Sequence, residues 1–333
     1  MAPATDQREQ ALIRLALAVA GRPESVGPAV DAALAAGASP AEVESVGDVV
    51  TASGPEHEVE WPPVLANAAL GPWTERSIVD VLGHESTVAR RRGTSSVPLV
   101  LCHSLGTDHR MWEPTVAALP SSVDVIAFDV RNHGPDRSSI TAFDVPVAVD
   151  DLIWLLNRLG VQSCYLAGIS MGGFIAQEFA IRHRDRLTGL ALMATRGKGA
   201  RTGEERASAG ERGGIASQLS VTLSRWFSPG FLAVNGPEVR HVRQLLLSWD
   251  VQAWASAWRA IGNANTVGRL ALSTIPTLCV AGESDASSPP HVLQAIADVL
   301  PDAAMHVVPG PHLFPVEQPR PVAALLAEHL ASL

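Results

Sequence analysis

The sequence predicts an α/β protein with a mostly parallel central sheet, helices on both faces and a helical insertion. Three observations predict it. Short apolar runs bounded by Gly, Pro or Asp alternate with helical segments from about Ser77 onward. A Gly-Ile-Ser-Met-Gly turn stands between one such run and a helix. A long tryptophan-bearing stretch interrupts the alternation late in the chain.

The chain has 333 residues, 47% of them hydrophobic, so it can bury a sizeable core. Residues 1–60 are Ala-rich with helical patterning, and Ser39-Pro40-Ala41-Glu42 is a capping box with proline at the first helical position. A linker rich in Gly, Pro and Trp follows, around Trp61 to Trp73. Strands are expected at Val97–Cys102, Val123–Phe128, Ser163–Ala167, Leu187–Met193, Thr277–Ala281 and Ala304–Val308, with helices such as Val147–Leu159 and Met171–His183 between them. Residues 61–196 and 273–333 therefore form the expected core. Residues 197–272, with Trp226, Trp249, Trp254 and Trp258, form a helical lid over the carboxyl edge of the sheet, where such sheets bind ligands.

The formal charge of −9 and a pI near 5.6 argue against nucleic acid or an anionic membrane as partner. Of the 25 basic residues only Lys198 is a lysine, which reads as codon bias. Cys102, Cys164 and Cys279 stand apart in apolar runs and read as buried thiols in a reducing cytoplasm. The apolar stretch Ala11–Ala20 is too short to span a membrane. Scattered histidines without paired spacing predict no metal, and no motif predicts a cofactor.

The chemistry is concentrated at Gly168-Ile169-Ser170-Met171-Gly172, after the run Cys164–Ala167 and at the start of a helix. Such a turn holds a serine in a strained conformation at the top of the sheet, with the helix N-terminus beneath it. The remaining partners should follow in the order acid, then histidine. Asp285, just beyond a strand end, is the expected acid, with Glu283 as runner-up; His312, in the loop after the last strand, is the expected general base. The backbone N–H groups of Leu105 and Met171 are the expected oxyanion hole, and His103 is read as a brace for that loop. Ser104, Trp112, Trp226 and Trp254 are expected at the substrate pocket. Arg110 and Arg131 are further candidates there, as forks for a substrate carboxylate, with structural arginine an equal reading.

These segments resemble a known family. Leu101-Cys102-His103-Ser104-Leu105-Gly106-Thr107-Asp108-His109-Arg110-Met111-Trp112 is similar to the oxyanion loop of the 3-oxoadipate enol-lactonases, a branch of the α/β-hydrolases. Gly168 to Gly173, Arg225-Trp226-Phe227 and His312 to Pro319 are similar as well. The resemblance covers about Val97 to the C-terminus. It implies an α/β-hydrolase fold and hydrolysis of a lactone or ester through attack by Ser170. Two places depart from the pattern: Arg131-Asn132-His133-Gly134, and the charged, Gly-rich segment Arg196 to Gly214. Both border the expected pocket, so the substrate is open. Carbon–carbon bond hydrolysis, a natural-product tailoring step, or a non-catalytic binding role on the same fold are the alternatives. Val30 to Ser53 resembles, more weakly, part of a carboxymuconolactone-decarboxylase-like domain. No cysteine precedes Cys102, so the zone is expected to serve packing or a homodimer contact, not chemistry.

Overall fold

A computed structural model describes residues 33, 71–136, 143–271 and 273–333. The chain divides into two units, Met1–Thr74 and Glu75–Leu333. The helical zone 1–60, its capping box and the resemblance at Val30–Ser53 lie outside the described residues, Ala33 excepted, which is helical and buried.

The second unit carries an eight-stranded sheet in the order β1-β2-β4-β3-β5-β6-β7-β8. Its strands are β1 (Glu75–Val81), β2 (His84–Arg91), β3 (Leu99–Cys102), β4 (Val125–Phe128), β5 (Cys164–Ile169), β6 (Leu187–Met193), β7 (Thr277–Gly282) and β8 (Ala303–Val308). The last six pair in parallel, whereas β1 and β2 form an antiparallel hairpin joined to β4. The six strands expected from the sequence are present, with ends shifted by up to two residues. Strands β3, β4, β5 and β7 are buried throughout, as unbroken apolar runs demand when both faces are covered.

The hairpin was not anticipated, and its chemistry explains why. β1 leaves most of its side chains exposed or half-exposed, and β2 buries polar groups, His84, Ser86 and Thr87, so neither shows an apolar stripe. Leu82 and Gly83, both at positive φ (51° and 87°), make the two-residue turn between them.

Helices flank the sheet: α1 (Glu113–Ala118), α2 (Val145–Arg158), α3 (Met171–Arg182), and, after the insertion, α9 (Pro290–Ala297), α10 (Phe314–Glu317) and α11 (Pro319–Ala331). Asp144 caps α2 by accepting from the Val147 amide at 2.7 Å. Between β6 and β7 lie α4 (Thr202–Trp226), α5 (Pro229–Val234), α6 (Pro237–Ser248), α7 (Val251–Asn263) and α8 (Val267–Leu270). Helix α4 breaks at Gly214, whose φ of 72° and ψ of 162° interrupt the helical ladder. The end of α4 is fastened to the chain after β8. The Leu313 amide donates to the Trp226 carbonyl at 3.0 Å, the His312 amide to the Arg225 carbonyl at 3.4 Å, and Ser228 donates to Glu317 through both its amide and its hydroxyl.

The three cysteines lie on β3, β5 and β7, all buried and free. Among the described residues, no helix is long and apolar enough to cross a membrane.

Candidate active site

Strand β5 runs straight into α3 through Ser170, which sits at φ 54° and ψ −112°. Few residues other than glycine hold such a backbone, and it persists only where the surroundings enforce it. The neighbouring glycines allow the crowding. A Cβ on Gly168 would land in the Gly172 backbone, and one on Gly172 would strike the carbonyl of Cys102 at the end of β3.

Ser170 Oγ donates to His312 Nε2 at 2.8 Å, and His312 Nδ1–H donates to Asp285 Oδ2 at 2.8 Å. Asp285 and His312 are 2% and 4% exposed, so both bonds act in a weakly screened environment. Burial alone would raise the Asp285 carboxyl. His312, and the amides of Ser287 and Ser288 at 2.7 and 3.0 Å from Oδ1, outweigh burial and hold it below the usual carboxylate range. Glu283, the alternative acid, points to solvent at the same strand end.

The loop after β3 faces this chain of bonds. The amides of Leu105 and Met171 donate to no acceptor among the described residues. The loop is braced from beneath. His103 Nδ1–H donates to the Ser104 carbonyl at 2.7 Å, and His103 Nε2 accepts from the Val130 amide at 2.9 Å. His133 Nε2 accepts from the Gly106 amide at 3.2 Å, and its Nδ1–H donates to the Arg131 carbonyl at 3.0 Å. Each ring therefore donates once and accepts once, the pattern of a neutral imidazole. Burial, followed by the neighbouring His103, pushes the His133 pKa down to about 3, and burial lowers that of His103. The Gly172 amide, donating to the His103 carbonyl at 3.1 Å, holds the loop against the elbow. A deeper pair of carboxylates supports the same loop: Asp129 accepts from His109 at 2.9 Å, and Asp108 from His241 of α6 at 2.9 Å.

A cleft opens beside Ser170 and His312, with Ser104, Leu105, Phe174, Trp226, Trp258, Arg196 and Arg206 among its lining residues. Of the pocket residues expected from sequence, Ser104 and Trp226 line it. Four do not. Trp112 is fully buried in the core. Trp254 packs edge-on between Trp249 and Trp258, and its Nε1–H donates to the Arg206 carbonyl. Arg131 makes a two-pronged pair with Asp151, at 2.6 and 2.5 Å, and Arg110 lies 3.4 Å from Asp108. Both arginines lie against carboxylates of the protein and outside the lining of the cleft. Sequence reasoning missed Arg196, Arg206 and Trp258. The signal was the charged, Gly-rich segment just past the carboxyl end of β6.

A family profile described as the alpha/beta hydrolase fold matches residues 97–213. The chain is 30% identical over 244 residues to 3-oxoadipate enol-lactonase 1 of Acinetobacter baylyi, a match spanning 72% of this chain and 91% of that one. Among solved structures, an enol-lactonase from Burkholderia xenovorans superposes with a TM-score of 0.72 at 25% identity, covering 77% of this chain and all of the other. A thermophilic esterase from Thermogutta terrifontis gives 0.69 at 28% identity, over 78% and 99% of the two chains. By its sheet order, its serine elbow and these relatives, the chain belongs to the α/β-hydrolase family and resembles its enol-lactonase members.

Proposed function

We propose that the chain is a serine hydrolase that opens a lactone or ester through an acyl-enzyme. The observation that carries this reading is the continuous run of hydrogen bonds from Ser170 Oγ through His312 to Asp285, at the carboxyl edge of the sheet and open to a cleft. In this reading Ser170 Oγ attacks the substrate carbonyl while His312 Nε2 takes its proton. Asp285 keeps the imidazole in the required tautomer and faces the positive charge it gains. The carbonyl oxygen, now negative, is received by the N–H groups of Leu105 and Met171, which have no competing acceptor among the described residues. Collapse expels the ring or ester oxygen, which takes the proton from His312. Water then attacks the acyl-enzyme with His312 again as base, releasing the acid and restoring Ser170.

The likeness to enol-lactonases supports a lactone as the substrate, with simple esters as slower surrogates. The test is a fluorophosphonate probe applied to the wild type and to Ser170→Ala, alongside a panel of lactones and aryl esters. Labelling of the wild type alone, with turnover falling on the order of 10⁴-fold or more in Ser170→Ala, is the expected result. A Ser170→Ala protein that still labels or turns over at near the wild-type rate refutes the reading.

A further inference from the structure

Gly173 lies one residue past the elbow motif, inside α3, and makes room for a side chain from another strand. A Cβ on Gly173 would strike the Cβ, Cγ2 and Oγ1 of Thr195 at 2.5 to 2.7 Å. Thr195 follows the end of β6, where the chain turns at Ala194, held at φ 44°. Pressed against Gly173, the Thr195 hydroxyl donates to the Ser170 carbonyl at 3.0 Å. That carbonyl also accepts from the Phe174 amide at 3.2 Å, so both of its lone pairs are engaged.

The Thr195 hydroxyl is itself held. Gln177 of α3 is fully buried, and its side-chain N–H groups reach the Arg196 carbonyl at 3.2 Å and Thr195 Oγ1 at 3.5 Å. Its Oε1 accepts from the Thr266 hydroxyl at 2.6 Å. The Arg196 carbonyl can only accept, which fixes the Gln177 amide this way round. Thr266 stands near the end of the insertion, and its own amide donates to the Gly197 carbonyl at 2.8 Å. Thr195 and Thr266 are each 1% exposed. Every bond in this run points the same way, from Thr266 through Gln177 and Thr195 to the Ser170 carbonyl, and bonds so ordered polarise one another.

The end of the run is chemically significant. The Ser170 carbonyl and the Met171 N–H belong to one planar peptide unit, with oxygen and hydrogen on opposite sides. A clamp on the oxygen therefore fixes the direction of the N–H. Turning this plane is also a route by which the strained backbone at Ser170, φ 54° and ψ −112°, could relax, and the clamp opposes it.

We propose that Thr195 is a positioning residue: its hydroxyl, held by Gln177 and through it by Thr266, sets the peptide plane between Ser170 and Met171 and so aims the Met171 N–H at the carbonyl oxygen of the substrate. The inference rests on the hydrolase reading above and adds the residue that orients one of its oxyanion donors. The aim of that donor counts most when charge has built up on the oxygen, so its loss is felt in the reacting state and little in substrate binding.

The experiment removes the hydroxyl and keeps the shape. Thr195→Val should lower kcat/KM for 4-nitrophenyl acetate by on the order of 10- to 100-fold, through kcat and with KM nearly unchanged. Thr195→Ser, which restores the donor, should recover most of that loss. Gln177→Met, which leaves Thr195 in place but unheld, should lower kcat in the same direction by less. Should Thr195→Val fail to fold, Thr195→Ala removes the same hydroxyl without adding an atom and decides the question. Ketones read the bond without turnover. A trifluoromethyl ketone takes Ser170 Oγ onto its carbonyl carbon, the proton passing to His312, and its oxygen becomes an oxyanion; the matching methyl ketone stays planar. Thr195→Val should weaken binding of the first by on the order of 10-fold and leave the second unchanged. The pH at which kcat/KM falls on the acid side should be the same in every variant, since His312 and Asp285 are untouched. An unchanged kcat in Thr195→Val, an equal deficit in Thr195→Ser, equal weakening of both ketones, or an acid limb that moves with the substitution overturns the proposal. Fluorophosphonate labelling of the wild type separates the failures. A labelled, active wild type with an indifferent Thr195→Val rejects the positioning role alone; a wild type that neither labels nor turns over an ester rejects the hydrolase reading, and the positioning role falls with it.

Discussion

His133 makes the loop after β3 sensitive to acid, and the size of the effect follows from its surroundings. The ring is 3% exposed, accepts the Gly106 amide and has its pKa depressed to about 3, against 6.5 for a free histidine. Because the folded value is the lower one, the unfolded chain takes up the proton first. Stability from the neutral ring is complete above about pH 6.5, declines as pH falls, and is exhausted only near pH 3. Between pH 7 and pH 4 the loss from this one residue is about 3 kcal/mol. His133→Gln tests it, since the amide oxygen can take the Gly106 hydrogen bond but cannot titrate. Urea unfolding, followed by tryptophan fluorescence, is compared for the two proteins at both pH values. The variant should be the less stable at pH 7, and the gap should narrow or reverse by about 3 kcal/mol at pH 4. Acid-sensitive groups that do not interact with His133 are common to both proteins and drop out of the difference. Stabilities that decline in parallel would show that the buried ring does not resist protonation, and the account of the loop would fall.

Asp285→Asn should lower kcat on the order of 10⁴-fold by favouring the wrong imidazole tautomer, whereas Glu283→Gln should leave it unchanged. Equal rates for wild type and Asp285→Asn would reassign the acid. Since Asp285 stays ionised as pH drops from 7 to 5, log kcat/KM should fall on the acid side with a slope of one, a single protonation; a slope of two would place a second titrating group in the mechanism. Arg131→Met should destabilise the fold by about 3 kcal/mol in urea melts, because it leaves the buried Asp151 carboxylate without its fork. It should leave KM for anionic esters unchanged, and a raised KM would return Arg131 to the substrate site.

The parts of the fold legible in the sequence were those whose chemistry is local. The elbow announces itself because strand, strained serine and helix must be contiguous, and the acid and base follow at strand ends in a required order. The hairpin β1–β2 was illegible because it lies at the sheet edge, where one strand faces water and the other buries His84, Ser86 and Thr87 in place of aliphatic residues. The pocket was legible only in part. Trp254 and Trp258 stand one helical turn apart on α7, and nothing in their spacing says which reaches the cleft. Likewise an arginine's partner is a matter of tertiary placement. Asp151 lies on the neighbouring helix α2 and claims Arg131, while Arg196 and Arg206 meet no carboxylate among the described residues.

The fastening of α4 to the histidine loop has a mechanical consequence. The carbonyls of Arg225 and Trp226 hold the amides of His312 and Leu313, so His312 and this wall of the cleft form a single strut. Displacing Trp226 would therefore pull on the ring that bonds Ser170 Oγ. The half of α4 before its break at Gly214 is anchored elsewhere, to α7, where Arg259 bonds both Glu204 and Glu211. The two halves of this helix therefore answer to different anchors, the second to the loop that carries His312 and the first to α7.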